Sequence, residues 1–146
     1  MISAILAILL TFIFPSSDLK IDVTSRRTSG VTISINEKWW LTKMHEKKGM
    51  RAVHTRKAFI KFNEAEGRAG GNGGCNSFGS TMKIKDGSIQ FTNLISTEMH
   101  CGDIQAAEDA FFRLLQTANR FIIKDESLTL FNCDQLILEF TLDKQA

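Results

Sequence analysis

The sequence predicts a mainly β (α+β) fold: a small antiparallel sheet that curls or closes into a barrel, with one α-helix at about residues 104–118. Three observations carry this. Apolar and polar residues alternate through short segments at regular intervals. Asp86-Gly87, between two such segments, is the dipeptide of a type I′ hairpin. One stretch alone, Ile104 to Ala118, switches to helical spacing, with Ile104, Ala107, Phe111, Leu114 or Leu115, and Ala118 on one face.

The chain of 146 residues is enough for one such domain. It opens without charge, and twelve of the first seventeen residues are apolar. As a helix, Met1 to Phe14 would rise about 21 Å, short of the roughly 30 Å hydrocarbon core. Pro15-Ser16-Ser17 then supply a break and small residues near a cleavage point. Residues 1–17 therefore read as a secretory signal peptide, although the usual basic start is missing. The other readings are a buried N-terminal strand or helix, or an uncleaved anchor. Export would place the protein in the periplasm or medium, or in association with the envelope. No cysteine near residue 18 supports a lipid anchor.

Residues 18–35 form an N-terminal extension with one strand, Val31-Thr32-Ile33-Ser34-Ile35. Trp39-Trp40-Leu41 opens the next strand, and Lys57-Ala58-Phe59-Ile60-Lys61-Phe62 reads as another. Met82-Lys83-Ile84-Lys85 and Ser88-Ile89-Gln90-Phe91 flank the Asp86-Gly87 turn. In the helix, Asp103 is the expected N-cap, with Glu108 and Asp109 near the start and Arg113 and Arg120 near the end, as the dipole favours. Phe121-Ile122-Ile123, Leu128-Thr129-Leu130-Phe131 and Leu136-Ile137-Leu138-Glu139-Phe140 then alternate around two polar turns, 124–127 and 132–135.

The net charge of +2 excludes a strongly basic nucleic-acid binder, so no nucleic acid is expected. It conceals an asymmetry: Asp18 to Lys61 carry 11 basic and 4 acidic side chains, whereas Phe62 to Ala146 carry 7 and 12. Trp39 and Trp40 lie among the basic residues. With Lys43, Lys47, Lys48 and Arg51 they form a candidate partner surface for an anionic partner such as phosphates, anionic lipid or acidic polysaccharide. The plainer reading is a solvated basic face, with one tryptophan in the core and the other plugging a barrel end. His45 and His54 read as solvated. A monomer is expected.

Gly67 to Gly79 hold six glycines in thirteen residues. The segment lacks the Gly-Lys-Ser/Thr ending of a phosphate loop, and its β surroundings deny it a dinucleotide-binding setting. It reads as a tight corner in a small barrel. The cysteines Cys75, Cys101 and Cys133 contain no Cys-x-x-Cys pair. In an exported protein a disulfide is the natural reading, and Cys75–Cys101 would close a loop of roughly 27 residues worth on the order of 3 kcal/mol. Cys133, in a hairpin turn, is then the free thiol; without export all three cysteines would stay reduced. His100 beside Cys101 raises a zinc site or a Cys–His nucleophile pair, but irregular spacing argues against the first and nothing identifies an oxyanion hole for the second. The standard catalytic motifs are absent, so no catalytic, cofactor-binding or metal residues are assigned and no enzyme is expected.

The order of blocks resembles a known family. Trp39 and Leu41, Phe59-Ile60-Lys61-Phe62, Gly73-Gly74-Cys75-Asn76-Ser77-Phe78-Gly79, Ser96-Thr97-Glu98-Met99-His100-Cys101 and a helix with Phe111-Phe112 follow the pattern of the META/HslJ domain family over residues 36–142. The resemblance implies a lipocalin-like barrel with one helix, exported or envelope-associated. It further implies a heat-shock-protein-like role in heat or antibiotic stress, with no established reaction. Gly74, Cys75, Asn76, Thr97, Met99 and Cys101 match the motif positions and are read as organising the fold. The expected function is a non-enzymatic module that binds a protein or envelope component. The alternatives are a small-ligand-binding barrel or, last, a thiol or metal enzyme at Cys75, His100 and Cys101. His100, Cys133 and Thr81-Met82 depart from the pattern.

Overall fold

The computed structural model describes residues 34–47, 49–52 and 57–143, the side chains of Arg51 and Ala52 excepted. All belong to one compact unit, Thr32–Ala146. The expected signal peptide, residues 1–17, lies outside the described residues, as do Lys48, His54 and most of the strand expected at 31–35. Ser34 and Ile35 are described, and they belong to the approach and turn before the first strand.

Nine strands and one helix follow in order: β1 (Lys38–Glu46), β2 (Gly49–Ala52), β3 (Phe59–Asn63), β4 (Arg68–Asn72), β5 (Ser77–Lys85), β6 (Ser88–Ser96), α1 (Gln105–Thr117), β7 (Arg120–Lys124), β8 (Ser127–Asn132) and β9 (Gln135–Leu142). Consecutive barrel strands pair antiparallel, and β1 pairs with both β3 and β9. Eight strands therefore close into a barrel, which removes the free sheet edges an open meander would leave. The short β2 folds back on the second half of β1, continuing the side of β1 that β3 occupies at its start. It fell within the basic run, where no alternation signalled a strand.

The hairpins follow their local chemistry. Asp86 and Gly87 both take positive φ (50° and 79°), as a type I′ turn requires. The turns after β7 and β8 shrink to two residues each, with Asp125 at φ 52° and Cys133 at φ 54°. The glycine-rich segment is a corner only in its second half. Its first half is strand β4, because glycine allows strands to approach where a side chain would not. A Cβ on Gly71 would lie 2.1 Å from the Phe59 carbonyl oxygen, so no other residue fits against β3 there.

The helix starts otherwise than Asp103 suggests. A 3-10 turn, Gly102–Ile104, precedes it, Ile104 occupies the N-cap position, and no side chain caps it. Arg120 lies beyond the helix in β7, its guanidinium 4.1 Å from the Phe131 ring centre. The Phe111/Leu115 stripe is fully buried as expected. Phe111 packs 5.7 Å from the Phe78 ring of β5 and 6.2 Å from the Phe140 ring of β9. Those strands stand four apart in either direction round the eight-strand circuit. The helix thus sends a side chain between opposite walls. Trp39, Met44, Ile60, Ile89, Leu128, Leu130 and Leu138 fill the remainder.

Candidate functional site

The glycine-rich corner, the loop after β6 and the first turns of α1 converge on Asn76. Its side chain is buried at 3% exposure and uses both ends of its amide. Asn76 Oδ1 accepts hydrogen bonds from the Thr97 hydroxyl and the Met99 backbone N–H, both at 2.8 Å. Asn76 Nδ2 donates to Glu108 Oε2 at 2.6 Å and to the Met99 carbonyl at 3.2 Å. Glu108, 1% exposed, also accepts the backbone N–H groups of Asn76 (2.6 Å) and Cys75 (3.1 Å) on Oε1. A buried carboxylate is costly unless met by donors. Among the described residues, it is met here by N–H groups rather than by a cation.

The corner itself is framed by Asn72, whose Oδ1 accepts the Gly74 N–H at 2.7 Å and whose Nδ2 donates to the Cys75 carbonyl. Gly74 takes φ 125°, and a Cβ on Gly73 would lie 2.6 Å from both Glu108 Oε1 and the Phe112 ring. Cys75 and Cys101 are disulfide-bonded with their Cα atoms 6.0 Å apart, and Cys133 is free and exposed. The motif residues Gly74, Cys75, Asn76, Thr97, Met99 and Cys101 are thus brought together. Met99 takes part through its backbone, and its side chain is 56% exposed.

Sequence reasoning gave Glu108 only a helix-dipole role and passed over Asn72. The signal for Glu108 was present: it lies four residues after Ile104 and three before Phe111, a carboxylate on the apolar stripe of an amphipathic helix. Sulfur atoms of Cys75 and Cys101 and a carboxylate oxygen of Glu108 lie within 4.8 Å of one another. A cation there would need both thiols reduced, because a disulfide offers no thiolate. His100, named with Cys75 and Cys101 only in the last alternative, is exposed and outside this trio.

The tryptophan and lysine surface divides. Trp39 is fully buried and donates its indole N–H to the Ile35 carbonyl at 2.9 Å, so it belongs to no surface. Trp40 faces outward, edge-on to Phe59 at 5.3 Å, with Lys38 Nζ 3.9 Å from its ring centre. Lys43 and His45 both bind Glu139 of β9, at 3.1 and 2.6 Å, which corrects the reading of His45 as solvated. Burial alone would raise the Glu139 carboxyl. The hydrogen bonds from His45 and Lys43, with their charges, outweigh it and hold the group below its ordinary value. Lys47 is exposed, whereas Lys48 and the Arg51 side chain lie outside the described residues.

Comparison with known families decides the assignment, since the META domain model matches residues 31–145. The chain belongs to the META domain family. The match extends a few residues beyond the expected span of 36–142 at either end. A search among curated proteins found no match. Among solved structures, this META domain is similar to an NMR structure of a protein from Burkholderia xenovorans, with 22% identity, 75% of this chain and 83% of that one covered, and a TM-score of 0.63. It is also similar to a crystal structure of a DUF4847 family protein from Bacteroides vulgatus, with 12% identity, 78% and 97% covered, and a TM-score of 0.53. At these identities the structures speak for the fold of the META domain, which is the expected barrel with one helix.

Proposed function

We propose that this META domain is a non-enzymatic, exported protein of the envelope stress response, which serves heat or antibiotic tolerance by binding a protein or envelope component through its outer surface. The observation that carries this reading is the filled barrel. With Phe111 wedged between Phe78 and Phe140, and Trp39, Leu128, Leu130 and Leu138 also fully buried, bulky side chains occupy the interior in which lipocalin-like barrels enclose a ligand. A partner would have to be met outside. The Cys75–Cys101 bond fits an oxidising compartment and ties up both sulfurs that a thiol or metal enzyme would need. Among the described residues no helix is long and apolar enough to cross a membrane.

The test uses a strain lacking the gene, scored for survival of heat and antibiotic. The full chain restores survival, and a chain without residues 1–17 does not. Equal rescue by both chains would overturn export. In the purified protein a thiol reagent labels Cys133 alone before reduction; labelling of Cys75 or Cys101 in the folded protein would return the thiol-enzyme alternative to consideration.

A further inference from the structure

On the outer face of β3, β4 and β5 the charges separate. Lys61 of β3, Arg68 of β4, and Lys83 and Lys85 of β5 all occupy outward, exposed positions. No ion pair engages any of them among the described residues, whereas Lys38, Lys43 and Arg113 are paired with Asp143, Glu139 and Glu46. The register sets their spacing. Lys61 lies opposite Gly70, two residues from Arg68, and Arg68 lies opposite Thr81, two residues from Lys83. Each step is a diagonal of about 7–8 Å, and Lys83 to Lys85 adds about 7 Å along the strand. The result is a slanting row of four cations across three strands.

Beside this row a shallow, open groove of about 750 Å³ lies over β3 and β4, with Asn36, Phe59, Lys61, Asn63, Arg68 and Gly70 among its lining. Its lining contains two cations and no carboxylate. The nearest acidic residues in sequence, Glu37, Glu64, Glu66 and Asp86, sit in the turns and bend at the strand ends. The two amides are oriented by the fold: Asn36 Oδ1 accepts the Glu64 N–H and Asn63 Oδ1 accepts the Glu66 N–H. Their NH₂ groups are left to donate.

We propose that this groove and the cation row beside it bind an acidic polysaccharide, a chain of sugar rings bearing carboxylate or sulfate groups. The cations meet the acidic groups and the two amides meet hydroxyls. A single-stranded nucleic acid fits less well. It needs successive aromatic platforms, but Lys38 Nζ already lies over both outward rings beside the groove, 3.9 Å from the centre of Trp40 and 4.5 Å from that of Phe59. This row lies on β3–β5, apart from the β1 strand where Lys43 is paired with Glu139.

This inference rests on the reading of the protein as a binder of an envelope component, and its test separates the two. Binding of an oligogalacturonate is measured by calorimetry at low and physiological salt. A maltooligosaccharide, an oligoglutamate and an oligothymidylate of matched length serve as comparators. The oligogalacturonate is expected to bind in a salt-sensitive manner and more tightly than all three. The Lys61→Ala/Arg68→Ala protein should lose affinity about tenfold or more, while Lys124→Ala, elsewhere on the surface, should not. If the double variant fails to fold by near-UV circular dichroism, Lys83→Ala/Lys85→Ala at fully outward positions takes its place. Equal binding of oligoglutamate or oligothymidylate, undiminished binding by the variants, or no uronate binding would each overturn the proposal. Isolated envelopes retaining the Lys61→Ala/Arg68→Ala protein as well as the wild type would remove this site and leave the broader reading standing.

Discussion

Glu108 on the helix and Asn76 in the glycine-rich corner, 32 residues apart in sequence, are locked together by two hydrogen bonds of 2.6 Å, one from the Asn76 backbone and one from its side chain. Because Asn76 also holds the Thr97 hydroxyl and the Met99 backbone, this pair ties three separate chain segments into one end of the barrel. A neutral amide suits the task, since it donates to the carboxylate with one end and accepts from two donors with the other.

Asn76→Asp is therefore expected to be severe. It sets a second carboxylate against Glu108 and removes the Nδ2 donor, at a cost of about 3 kcal/mol or more at neutral pH. Two such carboxylates share a proton more readily in the folded state, so their pKa is raised there and the penalty shrinks as pH falls. Urea unfolding midpoints of wild type and variant should converge toward acid pH. A constant difference at all pH values would show that charge is not the cause.

Two glycines of the same region should respond in opposite ways. Gly71→Ala places a methyl 2.1 Å from the Phe59 carbonyl oxygen, so β3 and β4 must separate, with a loss of about 3 kcal/mol or more. Gly79→Ala meets nothing within 4 Å and should stay within about 0.5 kcal/mol of wild type. Thermal unfolding of both proteins checks the contrast.

The Glu139 contacts give stability a dependence on acid. Its folded-state pKa is depressed, so the contribution is complete above the ordinary carboxylate range and is lost as pH falls through the folded value. Glu139→Gln should cost about 0.5–1 kcal/mol at neutral pH, and the difference from wild type should fade in acid. Denaturant titrations at several pH values measure it, and a difference that grows toward acid would contradict this account.

The expected strands around Asp86-Gly87, and those from Phe121 onward, were legible because alternation and turn chemistry act over a few residues. The single helix and the Cys75–Cys101 pairing were legible too, the first from its period and the second from the expectation of export and the turn position of Cys133. Strand β4 was not, because its glycines are defined by the carbonyls of β3 and β5 that they allow to approach.

Residues within one segment thus determined where the chain alternates, turns and coils, and so the kind of fold. Only the tertiary structure decided that Trp39 turns inward while Trp40 faces out, and that Glu108 serves the glycine-rich corner. It also decided that Lys43 and His45 both meet Glu139, more than ninety residues away. The physical reason is register. Which side chains meet across a closed barrel depends on how distant strands align, and a shift of one residue would have sent every one of them to the opposite face.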